Sequence, residues 1–270
     1  MLAHERHSQI LALLEEQGSV KVESLVKLFG VSTETIRRDL EFLEKRGSLT
    51  RVYGGAVLEK INDRQLVHKN RIKENIEQKK EIARIAVSLL SDEQTIALNS
   101  STTNLEIAKL IKNKNKLSKL TVLTNSVLIA NELIQNSNCS VFLTGGFFKR
   151  DEFSLAGPLA TNNISQFFVD IAFISVSGIS LRAGITDYDM DELPVQKEMI
   201  SIAQKVIILA DSSKFCSRSL LKVTDLDKAN AIITDSNLEE SVYQEFLSNG
   251  INLIKQEPNQ TSPPTTRRAK

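Results

Sequence analysis

The sequence predicts a chain of two fold classes. A small amino-terminal winged helix-turn-helix domain spans residues 1–58, and an α/β carboxyl-terminal domain with a mostly parallel sheet spans 76–255. Two stretches and one shift in composition predict this. From Ser32 to Arg46 the run STETIRRDLEFLEKR places Ile36, Leu40 and Leu43 on one side of a helix. Thr33, Thr35, Arg37, Arg38 and Glu41 lie opposite. From Glu81 onward, β-rich runs alternate with helical ones, the signature of parallel strands joined by crossover helices. Between the two, from Lys60 to Lys80, apolar residues thin out and basic ones gather, so residues 59–75 read as a linker.

The first helix is expected over His4–Gln17, with Ile10, Leu11, Leu13 and Leu14 as its buried stripe and His4 and His7 exposed. Val22, Leu25, Val26 and Phe29 give a short second helix closed by Gly30. Ser32 then sits where an N-cap belongs, and Glu34 in the first turn suits the positive end of the helix dipole. A short helix, a glycine-containing turn and a longer helix with outward Thr and Arg form the arrangement that lays its second helix in the major groove of DNA. Arg37 and Arg38 can each fork two hydrogen bonds to guanine or clamp a phosphate. The hydroxyls of Ser32, Thr33 and Thr35 suit phosphates or base edges near the helix start. LTRVYGGAV reads as a two-stranded wing, with Arg51 and Tyr53 turned to the DNA backbone or the minor groove.

The second domain offers seven strands: Thr95–Asn99, Leu120–Asn125, Ser140–Thr144, Ile171–Val176, Val206–Asp211, Ala231–Thr234 and Ile251–Ile254. Helices are expected between them, from Glu81–Leu90 to Leu238–Ser248. In open sheets of this kind ligands bind beyond the carboxyl ends of the strands. Polar loops stand there five times over. Ser100, Ser101, Thr102 and Thr103 open a helix and make a natural phosphate cradle. Asn125 can bond hydroxyl groups, and Gly145 and Gly146 leave room for backbone to approach a ligand. Ser177 follows the fourth strand, and Lys214 after the fifth offers a mobile cation.

The run TIRRDLEFLEKRG followed by TRVYGGAV resembles the winged helix of the DeoR family of bacterial transcriptional regulators. Thr35-Ile36-Arg37-Arg38-Asp39-Leu40 matches the family's recognition helix, and Arg51-Val52-Tyr53-Gly54-Gly55-Ala56 its wing, with Tyr53 where His is more frequent. The pieces NSSTT, LTVLTNS, FLTGG, VDIAFISVSGI, GIT, ELPVQKEMI, LADSSKF and AIITD extend the resemblance to the family's carboxyl-terminal domain, which senses sugar phosphates. It thus runs from about Leu2 to Ile254. It implies an α/β domain like that of pentose-phosphate isomerases, a repressor role, and an effector site made of Ser100 to Thr103, Asn125, Gly145, Gly146, Ser177, Glu192 and Lys214. Three departures stand out. The family usually reads D-S-G-T-T where this chain has Asn99 to Thr103, its members often read G-x-D-G where it has Ser175 to Gly178, and many carry V-K where it has Val195-Gln196.

Composition narrows the classes further. The 270 residues carry 34 basic and 33 acidic side chains, so any field toward DNA must come from local clustering. No Trp is present, against a stacking platform for single strands. Cys139 and Cys216 form neither a metal-like cluster nor a framework of bridges, so no metal and no cofactor are expected. A reducing cytoplasm is the simplest location, no stretch suits a membrane span, and QEPNQTSPPTTRRAK reads as a disordered tail over 256–270. The partners expected are double-stranded operator DNA, a phosphorylated sugar or related metabolite, and further copies of the chain, since one winged helix contacts few base pairs. The alternative is a sugar-phosphate isomerase carrying a DNA-binding domain. Ser177 stands against it, at the place where an isomerase would want a carboxylate. A structural nucleoid protein without a ligand is a third reading, and the polar loops oppose it.

Overall fold

The computed structural model describes residues 2–45, 48–57, 70–113 and 119–255. Most of the expected linker and the expected tail fall outside these residues. The chain divides into two compact units, 1–68 and 69–270.

In the first unit the order is α1 (Ala3–Gln17), β1 (Ser19–Lys21), α2 (Val22–Phe29), α3 (Thr33–Lys45), β2 (Thr50–Val52) and β3 (Gly55–Val57). Ile10 and Leu14 of α1, Leu25 of α2, and Ile36, Leu40 and Leu43 of α3 close on one apolar core. Ser32 caps α3, its Oγ accepting from the Thr35 amide at 3.2 Å. The wing strands pair antiparallel as the sequence predicts. A third strand, β1, joins them in the order β1-β3-β2. Three residues are too few to register as a period, so that strand is invisible to pattern reading. Gly55 is where it packs: a Cβ there would stand 2.1 Å from the Val20 carbonyl oxygen.

One expectation needs correcting. His4 is exposed, but His7 is half-buried, stacked on Phe42 with ring centroids 4.8 Å apart and its Nε2 2.8 Å from Asp39 Oδ1. Asp39, the acid inside the TIRRDL run, follows Ile36 by three residues and so faces inward. There Arg6 meets it with Nε at 2.5 Å and Nη2 at 2.9 Å. Burial alone would raise the Asp39 pKa; the hydrogen bonds from Arg6 and His7 outweigh it and hold the carboxyl below its ordinary value.

The second unit opens with α4 (Ile76–Ser88) and continues through β4 (Thr95–Leu98), α5 (Thr102–Lys112), β5 (Leu120–Thr124), α6 (Val127–Leu133) and β6 (Cys139–Leu143). A hairpin, β7 (Phe147–Lys149) and β8 (Ser154–Ala156), leads to α7 (Pro158–Ile164) and β9 (Val169–Ser175). Then follow β10 (Gly178–Ser180), β11 (Gly184–Asp187), α8 (Glu192–Ser201), β12 (Ala203–Leu209), β13 (Leu221–Thr224), β14 (Ala231–Ile233), α9 (Glu240–Ser248) and β15 (Leu253–Ile254).

All seven expected strands form one sheet in the order β15-β14-β12-β9-β4-β5-β6, and every neighbouring pair is parallel. Side chains alternate between two cores. Ala97, Ala172, Ile174 and Ile208 face α7, α8 and α9, while Ile96, Leu98, Phe173 and Ile207 face α4, α5 and α6. Because β4 and β9 are neighbours and the chain winds outward from them both ways, the switch point lies between their ends. The hairpin β7–β8 and the antiparallel sheet β10-β11-β13 were not expected from the sequence. Their strands have only three or four residues, and β7, β10 and β11 begin at or beside glycines, which read as loops.

The buried ion pair of the first unit is open to test. Asp39→Ala leaves Arg6 buried without its partner and is expected to destabilise that unit by about 3–5 kcal/mol in thermal or denaturant melts. Since the Asp39 pKa is lowered on folding, its contribution is complete above the unfolded value of about 3.9. It fades as pH falls through the lower folded value, and the variant's melts should lack that part of the acid dependence.

Candidate functional site

In the first unit, Thr33, Arg37, Arg51 and Tyr53 line one groove between α3 and the wing, together with Lys21 of β1. Lys21 was not anticipated, because its strand was not. Ser32, Thr35 and Arg38 do not line this groove. Thr35 is half-buried with its hydroxyl 2.9 Å from Ser32 Oγ, and Arg38 lies outside with Nε 3.4 Å from Glu34. Arg51 is held by Glu44, through Nε at 2.6 Å and through its own amide at 2.9 Å, while Tyr53 at the wing tip is fully exposed.

In the second unit a cavity of about 170 Å³ sits at the β4/β9 switch point. Ser100 to Thr103, Ser177, Glu192 and Lys214 all line it. The loop after β4 is held from behind. Asn99 donates through Nδ2 to the Ser175 carbonyl at 3.1 Å and accepts from the Ser175 amide at 2.8 Å. An aspartate could do only the second, so Asn at this position clamps β4 to β9 in both directions. Asn104, also buried, bonds the Asn99 carbonyl at 2.9 Å and the Phe173 carbonyl at 3.0 Å. Ser101 serves as the N-cap of α5, accepting from the Asn104 amide at 2.9 Å. The amides of Thr102 and Thr103 in the first turn have no acceptor within the helix and stand at its positive end.

Glu192 opens α8 and is buried on the opposite wall. Its carboxylate accepts from Ser154 Oγ and, at 2.8 Å, from Asn125 Nδ2. Burial pushes its pKa up to about 7 in spite of those two donors. Asn125 does not line the cavity; it stands one layer behind, its Oδ1 taking the Ser100 amide at 2.8 Å, and so ties the two walls together. Gly145 and Gly146 are outside the lining as well, contrary to the expectation that a ligand approaches them. The close approach at Gly146 is internal: a Cβ there would meet the Ala156 carbonyl oxygen at 2.5 Å, and its φ is 115°.

Several lining residues were not legible in the sequence. Ser177 lacks an acid of its own, but its hydroxyl donates to Asp187 Oδ1 at 2.9 Å, so a carboxylate reaches the same place from β11. Gln196 donates to Asp187 Oδ2 at 2.8 Å, and its buried Oε1 has no partner among the described residues. Lys197, the neighbouring cation, is exposed. Arg71, Glu74, Asn75 and Lys79 form a further wall. Arg71 makes a forked pair with Glu152 at 2.9 and 3.0 Å and reaches the Tyr188 hydroxyl. The Lys79 ammonium donates to the carbonyls of Arg71 and, at 2.6 Å, Glu74. Burial lowers its pKa below the ordinary lysine value. Among the described residues, no three His, Cys, Asp or Glu side chains come together to hold a metal ion. No helix among them is long and apolar enough to cross a membrane.

Comparison with known proteins matches both units. The model of the DeoR-like helix-turn-helix domain fits residues 6–62, and that of the DeoR C terminal sensor domain fits residues 74–236. The chain belongs to the DeoR family. Among DeoR-family relatives, the HTH-type transcriptional regulator GolR of Listeria innocua is 34% identical over 93% of this chain and 98% of its own length. The putative aga operon transcriptional repressor of Escherichia coli O157:H7 is 33% identical, covering 93% of each chain. The HTH-type transcriptional repressor GlcR of Bacillus subtilis is 33% identical over 94% of this chain and 96% of its own. A solved ribose 5-phosphate isomerase from Plasmodium falciparum is similar at 20% identity and a TM-score of 0.39, covering 52% of each chain. In this DeoR-family chain, then, a winged helix-turn-helix precedes a sensor domain on a seven-stranded parallel sheet.

The raised pKa of Glu192 carries a stability signature. A group whose pKa rises on folding contributes fully below its unfolded value, about 4.3, and that contribution is lost as pH climbs through about 7. Glu192→Gln is therefore expected to flatten the fall in sensor-domain stability between about pH 4 and 7 by about 3–4 kcal/mol, read from denaturant midpoints across that range.

Proposed function

We propose that this chain is a repressor whose hold on operator DNA is set by a small phosphorylated polyol or sugar bound at the β4/β9 switch point. One observation carries the reading: the cavity lining combines two kinds of group. The start of α5 and the cations Lys79 and Lys214 suit a phosphate. Ser177, Asp187, Glu192 and Gln196, whose buried Oε1 has no partner among the described residues, supply acceptors suited to hydroxyl donors. Gln196 adds no charge to this second group. A phosphate ester with free hydroxyls fits, and a phosphorylated sugar acid, with a carboxylate there, is disfavoured.

Thr33, Arg37, Arg51, Tyr53 and Lys21 are assigned to the DNA contact, with Arg37 reading a base edge and the others phosphates. Ser32 and Thr35 shape the start of α3 by bonding each other. Coupling between ligand and DNA runs through the segment of Arg71 to Lys79, by which the chain enters the sensor domain after the DNA-binding unit. Lys79 ties the carbonyls of that segment down. A phosphate that competes for its ammonium frees them, and the segment rearranges. By linkage, operator DNA then changes ligand affinity by the same factor. The isomerase alternative is disfavoured because the relatives above bear the names of regulators and repressors.

The deciding experiment is binding of the full chain to DNA from its own upstream region, titrated with sugar phosphates and the matching free sugars. The expected result is a discrete complex that one phosphate ester dissociates and its free sugar does not. Arg37→Ala should weaken the complex about 5- to 150-fold, the worth of one forked base contact. Lys214→Ala should leave DNA binding intact and weaken the ester about 10- to 100-fold, the worth of a charged hydrogen bond. Specific binding that ignores every phosphate would remove the effector half of the reading. Turnover of a sugar phosphate without specific DNA binding would favour the isomerase.

A further inference from the structure

We propose, resting on the function above, that the phosphate ester bound at the switch point also carries a protonated amino group, received by Asp187, Glu192 and Gln196. The ligand is then an amino-sugar phosphate, not a simple sugar phosphate. Two of the three receiving residues are carboxylates that the fold buries without a cation. Asp187 is 6% exposed and Glu192 5%. Asp187 Oδ1 accepts from Ser177 Oγ at 2.9 Å and from the Tyr188 amide at 2.7 Å, and Oδ2 accepts from Gln196 Nε2 at 2.8 Å. Glu192 accepts from Ser154 Oγ and, at 2.8 Å, from Asn125 Nδ2. Every one of these donors is neutral. The neighbouring cations are committed elsewhere, Arg71 to Glu152 and Lys149 to Asp189 and Asp191. Among the described residues neither Asp187 nor Glu192 makes an ion pair, and buried acids rarely stand without one. In keeping with that, burial outweighs the two donors at Glu192 and lifts its pKa to about 7.

Gln196 adds the third acceptor. It is 3% exposed, and Glu192 lies one turn before it on the same face of α8. Its orientation is not free. With Nε2 given to Asp187, the amide cannot be turned around, because Oε1 would then face the carboxylate, acceptor against acceptor. Oε1 is thus fixed as a buried acceptor, with no partner among the described residues. All three residues line the same cavity. They also stand close together, Gln196 tied to Asp187 by its hydrogen bond and to Glu192 by one turn of helix.

What completes such a set is a group with several donors, a positive charge and no lone pair. A hydroxyl among these acceptors leaves its own lone pairs without a donor, since the donors there are already given to the carboxylates. An ammonium has three donors and nothing left to satisfy. Charge points the same way. Acidic side chains outnumber basic ones around the cavity, so a phosphate alone adds to the sign already in excess. An ester that carries an ammonium brings the missing cation with it. A metal ion is the other cation to consider, but no three His, Cys, Asp or Glu side chains among the described residues gather to hold one.

Calorimetric titration of the full-length chain without DNA tests this, with glucosamine 6-phosphate and galactosamine 6-phosphate set beside glucose 6-phosphate and galactose 6-phosphate. At least one amino ester is expected to bind about 10- to 100-fold more tightly than its hydroxyl counterpart, the worth of a charged hydrogen bond. Its N-acetyl derivative, which has lost the charge, should bind no better than the hydroxyl ester. Gln196→Lys sets an ammonium of the protein among the same acceptors and should abolish the preference. Should that variant fail to fold, Gln196→Met removes the acceptor without adding charge and should narrow the preference about 10-fold. Equal binding of amino and hydroxyl esters, or a preference that survives in the folded variant, would overturn the ammonium site and leave the phosphate site standing. If no ester of either kind binds, both fall. Magnesium or calcium bound without any ester, and lost in the same variant, would overturn the ammonium in favour of a metal.

Discussion

Where β4 and β9 part at the top of the sheet, their last backbone groups lose each other as partners, and buried polar groups must be paired. Asn99 meets that need with a single neutral amide, giving and taking a hydrogen bond at Ser175. Asn104 fixes Asn99 in turn and anchors the start of α5 to the sheet. The loop from Ser100 to Thr103 is thereby fixed at the switch point, where it lines the cavity. Without that clamp the strand ends would have to close on each other or on water, and the site would lose its floor.

A second buried polar chain joins the two walls. Ser100 bonds Asn125, Asn125 bonds Glu192, and Glu192 takes the Ser154 hydroxyl. Asp189 prepares the far end: paired with Lys149 at 2.5 Å, it also accepts the Glu192 amide at 3.1 Å and so sets the start of α8. Networks of this kind are costly when half satisfied. Among the described residues, the buried side-chain acceptor of the lining that stays without a partner is Gln196 Oε1. In the first unit Asp39 does comparable work, holding α3 to α1 through Arg6 and His7 while Arg37, on the outer side, is left for the groove.

The sites were legible in unequal measure. The switch-point residues were found because they follow strands directly, and a strand end is visible as the close of an apolar run. Lys214, Ser177 and Ser100 to Thr103 were found that way. Asn125 was found by the same rule but stands one layer back, since its amide is consumed between Ser100 and Glu192. Gly145 and Gly146 were misjudged. A glycine pair signals that backbone comes close to something, but the sequence does not say to what, and here the neighbour is Ala156. His7 was misjudged because one turn of helix carries no mark of a partner on another helix.

By itself the sequence determined the order of the helices and of the seven parallel strands, the two domain classes, the inward faces of the helices and the outward placement of Arg37. Each follows from local spacing, because a helix turns every 3.6 residues and a strand every two. Only the tertiary structure decided which distant side chains meet. Arg71 with Glu152, Asp187 with Ser177 and Gln196, and Arg6 with Asp39 are pairings set by sheet order and helix docking. Charge and burial act through space, and chain position alone leaves those distances open.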